Sequence, residues 1–156
     1  MVLRMENYQI DTLDRKILKI LQADAKTPFT EIAQKLIVSP GTIHQRVGKL
    51  EAAGIIRGSK YCLDYARLGY DVNVLLGIHL KNAKDCPAVI EQLRRLPEVV
   101  EAYYTTGNYA LIIRVINKTI SDYHRFLVEK LQSIKEIQST ESYICLDVPI
   151  MRDLSP

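Results

Sequence analysis

Cysteine is scarce in this chain: Cys62, Cys86 and Cys145 are its only three, far apart and without a C-x-x-C spacing. An odd number cannot pair fully within one chain, so small, mostly buried, reduced thiols of a cytosolic protein are expected. Long apolar runs are absent too. None approaches the roughly 18 residues that cross a bilayer, and the N-terminus has no apolar stretch of the secretory-leader kind. These absences point to a cytoplasmic protein. Histidine amounts to His44, His79 and His124, scattered along the chain, so no metal site is expected. Nucleotide-binding and hydrolase motifs are missing. The run Gly54-Ile55-Ile56-Arg57-Gly58-Ser59-Lys60 has the wrong spacing for a phosphate loop, and no G-x-S-x-G occurs. Glu98 and Glu101 read as solvated charges of a loop or strand edge. With no catalytic constellation left, the chain is expected to be neither an enzyme nor a cofactor carrier.

What is present suits packed domains. The chain has 156 residues, 47% hydrophobic and 25% charged, which allows one ordinary domain or two small ones. Net charge is +3 but unevenly placed. Residues 1–62 hold 10 Lys/Arg against 6 Asp/Glu, a net of +4, while residues 63–156 hold 11 against 12, a net of −1. The positive excess therefore sits in the N-terminal part, where it would favour a polyanionic partner. Met1-Val2-Leu3-Arg4 precedes a second methionine, Met5, and reads either as a loose extension or as an alternative start.

Three helices are expected in residues 1–62. Asp11 is a good N-cap with Asp14 in the first turn, and Leu13, Ile17, Ile20 and Leu21 recur at helical spacing over Thr12 to Ala23. Lys26-Thr27-Pro28 breaks that helix. Thr30 is expected to cap the second, which faces Ile32, Ala33 and Leu36 inward, Ala33 being small enough for a close helix crossing. Ile37-Val38 form the turn. Ser39 then caps a third helix with Pro40 in its first position, Ile43, Val47 and Leu50 as its buried stripe and Gly54 past its end. This is a helix-turn-helix, the unit that lays its second helix in the major groove of double-stranded DNA. Its outward side would carry Gly41, Thr42, Gln45, Arg46 and Lys49, with His44 on the flank. Arg and Gln suit guanine and adenine edges. Lys49 and the Ser39 hydroxyl or N–H suit phosphates. Arg46 has an alternative use, pairing with Asp14 or Glu51 in the fold.

Residues 63–71 read as a linker. From Val72 the period changes to two, and the remaining pattern is strand (Val72–Leu80), helix from Asp85 or Cys86, strand (Val99–Thr105), turn at Thr106-Gly107-Asn108, strand (Tyr109–Ile116), helix capped by Ser121 or Asp122, and strand (Ser139–Val148). Tyr123, Leu127, Leu131 and Ile134 would face inward from the second helix. The order βαββαβ is ferredoxin-like. Two helices cover one face of a four-stranded sheet, yet both faces here carry apolar residues, Leu111, Ile113 and Val115 on one and Ile112 and Ile116 on the other. A second copy packing sheet against sheet would cover the open face, and a two-fold dimer suits a palindromic operator.

The stretches LDRKILKILQADAKTPFTEIAQKLIVSPGTIHQRVGKLEAAGII, EAYYTTGNYALIIRV and EIQSTESYICL resemble the Lrp/AsnC (feast/famine) family of transcription regulators over nearly the whole chain. The resemblance implies an α+β protein. A winged helix-turn-helix domain (1–62) and linker (63–71) would precede a ferredoxin-like ligand-binding and oligomerisation domain (72–156). It also implies a sequence-specific regulator of amino-acid metabolism genes, forming dimers and octamers with the effector between dimers. The similarity is greatest to the family's asparagine-responsive branch, which implies asparagine as the effector. The family's ligand-lining segments fall here on Tyr104, Thr105, Thr106, Gly107, Asn108, Tyr109 and Ala110, and on Gln138, Ser139, Thr140 and Glu141. Backbone N–H groups near Gly107 and the Thr hydroxyls could hold an α-carboxylate. Glu141 or backbone carbonyls could hold an ammonium, and Gln138, Ser139 and Asn108 a carboxamide. Many family members continue Gly-x-Tyr with Asp where this chain has Ala110, so that acidic partner is missing here. An architectural DNA-wrapping protein with a broad or no amino-acid response is the alternative reading.

Overall fold

The computed structural model describes residues 8–156, so the question of Met1 or Met5 lies outside the described residues. The chain divides into two compact units, one reaching to Cys62 and the other covering Leu63–Met151, with Arg152–Pro156 grouped with the first.

The N-terminal unit holds α1 (Thr12–Ala23), α2 (Phe29–Leu36) and α3 (Pro40–Ala52). Helix α1 starts where Asp11 and Asp14 exchange hydrogen bonds: the Asp14 N–H donates to the Asp11 carboxylate at 2.9 Å and the Asp11 N–H to the Asp14 carboxylate at 3.1 Å. Helix α2 begins one residue before the expected cap. Pro28 is its N-cap, without a side-chain hydrogen bond, and Thr30 lies inside the first turn. The fixed φ of Pro28 and its carbonyl, which accepts from Glu31 and Ile32, start the helix without a hydroxyl. Ser39 caps α3, its Oγ accepting from the Thr42 N–H at 3.1 Å, with Pro40 in the first turn. Gly54, at φ +69, follows the end of that helix in the left-handed region. Ile17, Ile32, Ala33, Ile43 and Val47 form the core, with Leu50 also fully buried.

The second unit holds β1 (Val72–Leu80), α4 (Cys86–Leu93), β2 (Val99–Tyr104), β3 (Leu111–Asn117), α5 (Ile120–Arg125) and β4 (Ile137–Ile144). All pairings are antiparallel in the order β2-β3-β1-β4, the ferredoxin-like arrangement. Val74, Leu76 and Ile78 of β1 and Leu111, Ile113 and Val115 of β3 point to the helices and are fully buried. Several expected bounds move. The cap of α5 is Thr119, whose Oγ accepts from the Asp122 N–H at 3.0 Å, rather than Ser121 or Asp122. Beyond Arg125 the helix widens into a π-helical stretch, Phe126–Leu131, which brings Phe126 into the core beside Tyr123 and Leu131. Strand β3 starts two residues late because Tyr109 leaves the ladder. Strand β4 starts at Ile137, where a register shift at His79/Leu80 pairs it with Leu80, and stops at Ile144, opposite Val74.

The thiols depart from expectation: Cys86 is buried, but Cys145 is intermediate and Cys62 exposed. Burial pushes the Cys86 thiol pKa up. No helix among the described residues is long and apolar enough to cross a membrane.

Candidate functional site

The turn between α2 and α3 is built on an unusual residue. Ile37 adopts φ 56, ψ 50, a left-handed conformation rare for a β-branched side chain, and is 92% exposed. It delivers the chain to Ser39 and hence fixes the entry of α3. Along α3, Ser39, Gly41, His44, Gln45 and Lys49 are exposed and Thr42 is half-buried. The Ser39 hydroxyl bonds the Thr42 hydroxyl at 2.9 Å as well as capping the helix, so both already serve the fold. His44 stands edge-on to Phe29, ring centroids 5.7 Å apart.

Arg46 takes the second of its two readings. Its guanidinium turns back to α1, 2.5 Å from the Asp11 carboxylate and 3.3 Å from that of Asp14, and Glu51 is not its partner. Asp14 is fully buried and also accepts from the Tyr8 hydroxyl at 3.1 Å. Arg46 thus serves the fold through one guanidinium nitrogen, Nη1, which meets the exposed Asp11 carboxylate and, at a longer distance, the buried Asp14 one. The pair raises the Arg46 pKa further above its ordinary value. The Asp14 N–H, and then Arg46, hold the Asp11 carboxyl below its ordinary pKa. Gln45 and Lys49 remain as long polar side chains free to reach outward.

The second site lies on the open face of the sheet. β1 sends Leu75, Gly77 and His79 to this face, β3 sends Ile112, Arg114 and Ile116, β4 sends Glu141 and Tyr143, and β2 sends Glu101 and Tyr103. Tyr109 folds back from the turn and lies across Gly77, where an added Cβ would meet its ring at 2.5 Å. Its hydroxyl bonds the Glu141 carboxylate and, at 2.8 Å, the Tyr143 hydroxyl, while its ring sits 4.9 Å from that of His79. The Thr105 hydroxyl donates to the Tyr109 carbonyl, and the backbone of Ala110 donates to Ile78, so the turn is anchored at both ends. Between these anchors Thr106, Gly107 and Asn108 are exposed. Hydrogen bonds from Tyr109 and Tyr143 lower the Glu141 pKa, and the same contact with Glu141 raises that of Tyr109.

The structure thus brings Tyr109 and Glu141 together and places Ser139 opposite His79 on the same face. It separates two expected members. Thr140 pairs with Ile78 and Tyr104 with Leu111, which puts both on the helix-covered side. Gln138 is exposed at the register shift where β4 begins. Gly77, His79 and Tyr143 were not anticipated. The one signal for them is a glycine inside an otherwise apolar strand, which marks a close approach. Glu98 is also corrected: it bonds Lys130 and is only 19% exposed, with Oε2 buried. Glu101 pairs with Arg114 at 3.3 Å and accepts from the Tyr103 hydroxyl at 2.8 Å.

A capped helix-turn-helix in one unit and a half-covered antiparallel sheet in the other define a class of transcription regulators, in which a DNA reader is joined to a ligand-binding module. Residues 10–57 match the family model for winged helix-turn-helix DNA-binding, and residues 73–154 match the Lrp/AsnC ligand binding domain. The chain is 52% identical over 149 residues to the regulatory protein AsnC of Haemophilus influenzae, covering 96% of this chain and 99% of that one. It is 50% identical over 152 residues to AsnC of Escherichia coli K12, covering 97% and 100%. The solved structure of E. coli AsnC superposes with a TM-score of 0.93 at 48% identity, over 96% of this chain and all of that one. The chain belongs to the Lrp/AsnC family and is a DNA-binding transcription regulator of the AsnC type. Its relatives are regulators, and it is not an enzyme.

Proposed function

We propose that this regulator senses asparagine and reads a palindromic operator as a dimer that assembles further into octamers. Near-half identity to AsnC along the whole chain supports the effector. The observation that carries the sensing role is the turn Thr105–Ala110, anchored at both ends with Thr106, Gly107 and Asn108 exposed between. Thr106 and Asn108 offer donors and acceptors to a carboxylate and a carboxamide. Tyr109 keeps Glu141 ionised and close by. With Ala110 at the position where an aspartate is common in the family, Glu141 is the acidic group nearest to hand for the ammonium.

On the DNA side, Gln45 reads a base edge and Lys49 holds a phosphate. Ser39, Gly41, Thr42 and His44 form the entering end of α3, and Arg46 holds that helix to α1. Residues 1–62 act as the reader, 63–71 as the connection and 72–156 as the sensing and assembly domain. Calorimetry with the twenty amino acids tests the sensing role. Asparagine should give saturable heat, and Asn108→Ala should reduce its affinity by about tenfold. Absence of heat with every amino acid would end this reading.

A further inference from the structure

Single exposed apolar side chains are ordinary on a protein surface. Ile37 differs because its backbone is costly as well. Four of the described residues stand at positive φ, and three of them are the glycines Gly54, Gly58 and Gly69. Ile37, at φ 56 and ψ 50, is the one that carries a side chain there. In that conformation Cβ crowds the following carbonyl oxygen, and branching at Cβ makes the position rarer still.

The fold needs this conformation but not this side chain. Helix α2 closes through backbone alone: the Ile37 N–H donates to the Gln34 carbonyl at 3.3 Å and the Val38 N–H to the Ala33 carbonyl at 3.0 Å. A helix end of this kind favours glycine at its left-handed position. Val38 turns inward and packs against the core of the unit, whereas Ile37 is 92% exposed. Glycine would close α2 equally well, with less strain and little packing lost. A strained residue whose side chain does nothing for the fold points to a contact outside it.

Its position names the partner. Ile37 lies two residues before Ser39, the N-cap of α3, so their Cα atoms are at most about 7.6 Å apart. Ser39, Pro40 and Gly41 are exposed at the same end of that helix. A helix-turn-helix brings this end of its second helix to the base edges of the major groove. Isoleucine has no side-chain donor or acceptor, so it cannot read those edges by hydrogen bonds. The apolar group that the major groove presents is the C5-methyl of thymine. We propose that Ile37 is a specificity-determining residue that packs against a thymine methyl at the edge of each operator half-site. It lowers the stability of the free protein and strengthens the complex with DNA. The inference rests on α3 being the reading helix, which Lys49→Ala tests separately.

The test uses the full-length protein and an operator selected from random-sequence duplexes. Ile37→Gly should raise the denaturant midpoint of the N-terminal unit yet bind that operator about fourfold more weakly for each half-site. Uracil in place of thymine removes the methyl and nothing else. Moved through both half-sites in matched positions, it should weaken the parent by about fourfold per half-site at one thymine. At that thymine Ile37→Gly should be indifferent to the change, a coupling that a merely structural role of the turn would not produce. Ile37→Val, which keeps a branched apolar chain, should retain the uracil effect, and so should Lys49→Ala while binding more weakly throughout. Ile37→Gly binding as tightly as the parent would overturn the proposal. So would a loss of binding in Ile37→Gly with the same uracil effects as the parent at every thymine. A Lys49→Ala effect in either case would leave α3 as the reader and remove the thymine contact alone; no effect of either variant would remove both.

Discussion

Arg46 lies on α3, the helix proposed to read DNA, and sets its charge against Asp11 and Asp14. Asp14 is fully buried and keeps two other donors, the Asp11 N–H and the Tyr8 hydroxyl. Removing the guanidinium strands a buried carboxylate. Arg46→Met should destabilise the N-terminal unit by about 3 kcal/mol in a denaturant titration, with weaker operator binding following from unfolding. Lys49→Ala should do the reverse, leaving stability unchanged within about 0.5 kcal/mol and lowering the salt dependence of operator binding by about one unit of slope. The low Asp11 pKa sets a pH window. Its folded value lies below the ordinary 3.8, so its contribution is fully present above that pH and is lost as pH falls through the folded value. Acid titration of the isolated change Asp11→Asn against the parent should show the two stabilities converging below that window. Ile37 offers a gain instead. At φ 56 and 92% exposed it pays a left-handed penalty without packing, and Ile37→Gly should raise stability by roughly 1 kcal/mol in the same assay.

Among the elements, β1 carries the feature that shapes the open sheet face. Gly77 lets the Tyr109 ring lie flat against the strand, within bonding distance of Glu141 and Tyr143. Gly77→Ala should push that ring away and cost about 1–3 kcal/mol, and it should lower the asparagine heat that the proposed function expects. Most elements were legible because their signals are local. The Asp11–Asp14 box, Ser39-Pro40 and the alternation from Val72 each declare themselves within a few residues. Some failures came where the deciding partner is remote. Thr30 looked like a cap because a hydroxyl can cap, yet Pro28 started the helix first. Phe126 is missing from the expected inward set although it stands three residues after Tyr123, a spacing that shares a helix face; it is buried with Tyr123 and Leu131. Tyr109 seemed to begin a strand, and nothing next to it in sequence says that a glycine in β1 would draw it out of the ladder. For Arg46 the sequence offers base reading or a pair with Asp14 or Glu51; its shorter contact is with the helix cap Asp11, which none of these names, and Asp14 is the longer one.

For the whole molecule, the open sheet face mixes apolar side chains with the polar cluster. Leu75 is 39% exposed, Tyr103 53% and Tyr143 49%, with Ile112 half-buried beside them. Such a face suits a second copy better than water. Leu75→Glu should shift the protein to monomers in sedimentation equilibrium and abolish cooperative operator binding without unfolding the sheet. The strand order has a kinetic consequence. β1 is a central strand, flanked by β3 on one side and by β4, the last strand of the chain, on the other. The sheet cannot be completed until residues through Ile144 have left the ribosome, whereas the three N-terminal helices draw mainly on neighbours close in sequence. Helices α1–α3 should therefore be able to fold during synthesis and the sheet only near its end. In refolding experiments the helical unit should recover first and the sheet in a slower phase.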